Sequence, residues 1–127
     1  MYKEIIIIVI VLIIIIGLDV VSRNYTEKAV KEITSNLDEL KIEILNENYE
    51  RSKNKMKGTM DLWKEKYNIL AYYIEHDELE KVETELTRLS ADIDMKEYKH
   101  CINELNTTIF ILNHIKQKEE FDVKSIF

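Results

Sequence analysis

The stretch "IIIIVIVLIIIIGL", residues 5–18, limits what this chain can fold into more than any other feature. It carries no charge and no strong polar group. Asp19 interrupts it, and Val20 and Val21 extend it. From Ile5 to Val21 a helix would run about 26 Å at ~1.5 Å per residue, the short end of what crosses a hydrocarbon core. Tyr2, Lys3 and Glu4 add interfacial length, and Lys3 can snorkel to the headgroups. Ile and Val are poor helix formers in water because their branched β-carbons restrict rotamers. In lipid every backbone N–H and C=O must be paired within the segment, so helix wins. A membrane-spanning helix over residues 1–22 follows, with Ile5, Ile8, Leu12, Ile15 and Leu18 facing lipid.

Two other readings compete with the anchor. A cleaved export signal, leaving a secreted helical protein, needs a shorter apolar run and small residues before the cut. Val20-Val21-Ser22 imitates such a site weakly. A buried core helix needs a polar face, which this run lacks. The uncleaved anchor fits best and places the protein in the cell membrane. For orientation, Arg23, Lys28 and Lys31 after the span outnumber Lys3 before it, which by charge favours a cytoplasmic body. Long domains translocate largely regardless of charge, and a four-residue head suits an N-terminus kept inside. An extracytoplasmic body is therefore expected.

The remainder is mildly acidic. The whole chain has 18 Lys and Arg against 24 Asp and Glu, and setting aside Lys3, Glu4 and Asp19 leaves 17 against 22. That balance speaks against a nucleic-acid partner and against tight binding to an anionic surface. No proline and only two glycines, Gly17 and Gly58, favour long helices with short connections over strands. Cys101 is alone and can form no internal disulfide.

The body repeats at an offset of 49 residues. Val30 corresponds to Leu79, Ile33 to Val82, Leu37 to Leu86, Leu40 to Leu89 and Ile44 to Ile93. The match continues through Tyr49 and Tyr98, Met56 and Leu105, Met60 and Ile109, and Trp63 and Leu112. Within each unit the apolar positions step by three and four, the spacing of one helical seam. The fold class is therefore all-α: the single span followed by two tandem antiparallel helical hairpins, as a four-helix bundle or a short tetratricopeptide-like array. Helices are expected near 23–46, 48–76, 78–94 and 97–116, giving a body over 23–116 with units 23–76 and 78–116, and a tail at 117–127. Turns are expected at "NEN" and "DMK". Asp77 is placed to cap the third helix with Glu80 three residues on, and His76 in the last turn of the second. Gly58-Thr59 and Thr107-Thr108 share a repeat position and would allow the two second helices to approach closely, or else mark weak surface spots. In the tail, Phe121, Ile126 and Phe127 are expected to pack back onto the body after the charged stretch "KQKEE".

No catalytic, cofactor or metal site is expected, and no small-molecule substrate. Glu97-Tyr98-Lys99-His100 has the E-x-x-H spacing of di-iron bundles, but its repeat partner Asn48-Tyr49-Glu50-Arg51 has no histidine. His100 and Cys101 point about 100° apart on a helix, and His114 lies roughly 20 Å on. Arg51, Lys53, Lys55 and Lys57 alternate and so form no stripe. Without an acid, base or nucleophile constellation an enzyme is disfavoured. If a face recruits a protein partner, Trp63, Tyr72, Tyr73 and His76 are the first candidates. Self-association is an equally physical use of the seam.

"LWKEKYNILAYYIEHDELEKVE", then "LTRL", "LNHI" and the closing F-x-x-x-x-I-F resemble the domain of unknown function family 4363. The resemblance implies a small membrane-anchored protein of Gram-positive bacteria, with an N-terminal apolar helix and a helical body. It brings no activity. Function is accordingly expected to be a protein-interaction or tethering module at the membrane. The alternative is an accessory subunit of an integral transport or lipid-handling system.

Overall fold

The computed structural model describes the backbone of residues 1–126 and the side chains of residues 1–120. Four helices follow one another: α1 Tyr2–Leu45, α2 Tyr49–Leu70, α3 His76–Asp94 and α4 Tyr98–Ile126. There is no strand among the described residues. The packed pairs are α1 with α2, α2 with α3, α3 with α4, and α4 with α1. That ring is an up-down-up-down four-helix bundle, and the return of α4 onto α1 closes it, which an open repeat array would not do.

The repeat decides the core. Val30, Ile33, Leu37, Leu40 and Ile44 of α1 are buried, as are Leu79, Val82, Leu86, Leu89 and Ile93 of α3 at the equivalent steps. In α2 the buried set is Ser52, Met56, Thr59, Trp63 and Leu70; in α4 Cys101, Leu105, Thr108 and Leu112 occupy the matching positions of the first four. Met60, Tyr67, Ile74, Ile102 and Ile109 flank the core, half-buried.

Both hairpin tips use the same stop signal. Glu47 and Lys96, again 49 apart, adopt left-handed φ values of 54° and 58°. At the first tip Glu47 N–H donates to Ile44 O at 2.9 Å and Asn48 N–H to Glu43 O at 3.0 Å. At the second, Lys96 N–H donates to Ile93 O at 3.0 Å and Glu97 N–H to Asp92 O at 2.9 Å. This is the paired 6→1 and 5→2 closure of a Schellman motif, made twice without glycine. Asn48 then caps α2, its Oδ1 accepting from Arg51 N–H at 3.2 Å.

Several expectations need correction. The second helix ends at Leu70 rather than at 76; a tight turn follows, with Tyr72, Tyr73 and Ile74 N–H groups donating back to Ile69 O, Leu70 O and Leu70 O. His76 opens α3, whose N-cap is Glu75 with no side-chain cap bond, so Asp77 lies inside the first turn and caps nothing. The α4 backbone continues through "KQKEE" to Ile126, where a break into a tail at 117 was expected; Lys, Gln and Glu are good helix formers and no breaker stands there. The expected packing of Phe121, Ile126 and Phe127 lies outside the described side chains. The second helices α2 and α4 occupy a diagonal and are not a packed pair. Gly58 is exposed, and a Cβ built on it meets nothing within 4 Å. Thr59 and Thr108 are instead core residues, their hydroxyls donating to Lys55 O at 2.9 Å and Glu104 O at 2.7 Å within their own helices.

Helix α1 has two halves with different surroundings. Its N-terminal part is one segment long and apolar enough to cross a membrane, and among the described residues none of that apolar window is buried. Ile5, Ile8, Leu12, Ile15 and Leu18 are all exposed there. From Thr26 onward α1 is a bundle helix. No element boundary separates the two.

Candidate functional site: the span-to-bundle junction

Where α1 leaves its apolar half, the α2–α3 turn is tied to it. Tyr73 hydroxyl donates to the main-chain oxygen of Ser22 at 3.1 Å and lies 2.6 Å from Thr26 Oγ1, which itself donates to Ser22 O at 2.9 Å. Burial of the Tyr73 phenol pushes its pKa up, and the Thr26 hydrogen bond opposes this. About two turns further on, Lys66 of α2 pairs with Glu32 of α1 at 3.0 Å and sits 5.7 Å from the Tyr25 ring. The Glu32 bond is the main cause holding the Lys66 ammonium above its ordinary pKa, against some desolvation. Glu75, the α3 cap residue, is bridged to Lys118 of α4 at 3.5 Å. All four helices are thus linked at this end.

These contacts rearrange the expected partner face. Trp63 is 0% exposed, packed 5.9 Å centroid to centroid against Tyr67, so it belongs to the core and cannot present itself to a partner. Tyr73 is half-buried and used internally. Of the four residues only Tyr72, 88% exposed, and His76, whose side chain is also largely exposed, stay on the surface. Ile69, 47% exposed, stands one turn before Tyr72. The sequence reading missed Phe110, 73% exposed on α4, and the apolar distal residues Ile42, Leu45 and Met95. Phe110 falls between the steps of the seam formed by Leu105, Thr108, Leu112 and Ile115, and that offset is the signal that marks it as outward.

The residues that imitate chemistry are dispersed. His100 and His114 are exposed while Cys101 between them is buried, its thiol pushed up to about 12 by desolvation. Among the described residues no three His, Cys, Asp or Glu side chains gather as a metal ion would need. Of the basic run, Lys55 pairs with Glu39 and Lys53 lies 5.3 Å over the Tyr49 ring. A perturbed acid is Glu104 on α4. Burial first, then hydrogen bonding to Asp92 of α3 and the nearby negative charges of Asp92 and Glu85, raise its carboxyl to about 7; Arg88 opposes them. Its Oε2 is buried without a hydrogen-bond partner.

No curated protein and no solved structure matches the chain. A family model described as a domain of unknown function, DUF4363, matches residues 20–126. That match takes in the entire bundle and starts at Val20, near the end of the apolar stretch, and the chain belongs to this family.

Proposed function

We propose that the protein is a single-pass membrane-anchored tether. The span fixes its location, and the bundle, held on the extracytoplasmic side, binds a protein partner and performs no chemistry of its own. The observation that carries this reading is the unbroken α1, in which an uncovered apolar half passes directly into a half buried in the bundle. From Ser22 to Leu45 the helix rises about 35 Å, so the hairpin tips stand up to that far from the edge of the hydrocarbon core. The exposed Ile42, Leu45 and Met95 at those tips are the apolar contacts offered to the partner.

Two measurements on cells test this. Protease added to intact cells should digest the body, and protection until lysis would reverse the orientation. Photo-crosslinking from Leu45 and Met95 in membranes, read by mass spectrometry, should trap a protein. Capture of lipid alone would remove the tether reading, and capture of only this chain would turn the partner into a second copy.

A further inference from the structure

An exposed tyrosine on a soluble surface needs no explanation. Tyr72 is different because of its position relative to the apolar half of α1. Val21 ends that half, Ser22 follows it, and Tyr73 is bonded to Ser22 O at 3.1 Å. The register agrees, since the Lys55–Glu39 and Lys66–Glu32 pairs run α2 antiparallel to α1 and bring its end down to the same turn. Residues 22 to 26 rise about 6 Å. The headgroup layer on each side of a bilayer is roughly 5–8 Å thick. The α2–α3 turn is therefore level with that layer if α1 crosses the membrane.

We propose that this turn is a second membrane contact, in which Tyr72, with Ile69 beside it, enters the headgroup layer of the bilayer that α1 spans. The inference rests on the anchor reading. Tyrosine is suited to this depth because its ring is apolar and its hydroxyl keeps a wet partner. Ile69, three residues earlier in the chain and 47% exposed, adds aliphatic surface. The neighbouring acid Glu75, itself exposed, is bridged to Lys118 at 3.5 Å, and the exposed Asp77 lies two residues beyond it at the start of α3. The contact involves uncharged side chains, so it is expected in zwitterionic lipid and to be only weakly sensitive to salt. With α1 it makes two points of attachment, which fix the rotation of the bundle about the span axis as well as its height.

The test uses the full chain in phosphatidylcholine liposomes. Cys101→Ala removes the native thiol, and single cysteines are then introduced as Leu12→Cys, Tyr72→Cys and Phe110→Cys and labelled with an environment-sensitive fluorophore. The Leu12 label should be quenched by nitroxides placed mid-chain, and the Tyr72 label several-fold more strongly by headgroup nitroxides than the Phe110 label. Equal, weak quenching at 72 and 110 alongside a quenched Leu12 overturns the second contact and leaves the anchor standing. An unquenched Leu12 removes the anchor itself, and the contact with it. Hydroxyl-radical footprinting of the unsubstituted chain guards against misfolded variants. Tyr72 should be oxidised several-fold less than Phe110 in liposomes, and equal oxidation overturns the proposal.

Discussion

The hydroxyl of Tyr73 reaches from the α2–α3 turn to the main-chain oxygen of Ser22, 51 residues earlier, at 3.1 Å. That oxygen also accepts from Thr26 at 2.9 Å, so a single carbonyl at the foot of α1 gathers two side-chain hydroxyls. The bond joins the segment that leaves the apolar half to the turn that closes the far side of the bundle. Replacing Tyr73 with Phe keeps the ring and deletes the bond. A loss of about 1 kcal/mol is expected, read by denaturant unfolding of the full chain in detergent. A change within error would mean that the ring alone holds the turn.

Glu104 gives a pH dependence of definite sign. Its folded carboxyl is raised to about 7 from an ordinary 4.5, by burial first and then by Asp92. The folded state therefore holds the proton more tightly than the unfolded state. Its contribution is fully present below about 4.5 and is lost as pH rises through about 7. The melting midpoint should fall between pH 5 and pH 8 in the native chain, and Glu104→Gln should flatten that fall. A Gln variant with an unchanged profile would transfer the effect to another group.

Gly58 occupies an exposed interior position of α2 where a methyl group meets nothing within 4 Å. Gly58→Ala should stabilise the protein by roughly 0.5–1 kcal/mol, because the glycine only adds freedom to the unfolded chain. Equilibrium unfolding reads this directly, and a destabilised variant would show that the backbone at 58 needs glycine after all.

Glu47 and Lys96 carry side chains in the left-handed region at both tips. That conformation costs an L-residue about 1 kcal/mol or more. Glu47→Gly and Lys96→Gly should each raise stability, by about 1 kcal/mol at Glu47, as read by equilibrium unfolding, because the glycine removes the left-handed cost while the closing hydrogen bonds stay. At Lys96 part of the gain is offset, since its ammonium lies 4.8 Å over the Tyr49 ring. A larger gain at 47 than at 96 is therefore the finer expectation.

The periodic seams were readable because burial in a bundle follows helical spacing. The five matched positions of α1 and α3 are all core. Ser52, Thr59 and Thr108 were harder, because hydroxyl residues look solvated in a sequence. The two threonines satisfy their polar atoms on carbonyls of their own helices, which lets them face the core. The stop at Leu70 left no local mark. Ile74 continues the seam in step and no glycine or proline intervenes, whereas the turn is held by the Tyr73 bond to a residue on another helix. Trp63 illustrates the same limit at the candidate site. An aromatic on a seam fits the core or an exposed rim equally well, and the position of Tyr67 beside it separates the two.

Because α1 runs as one rod from Tyr2 to Leu45, its two ends cannot reorient independently. Single spans tilt to match bilayer thickness, over a range of ~0–40°. With an arm of about 35 Å beyond Ser22, a lean of ~10° in the apolar end sweeps the hairpin tips sideways by about 6 Å. If α1 crosses a membrane as proposed, the local thickness of that membrane sets where Leu45 and Met95 stand over its plane.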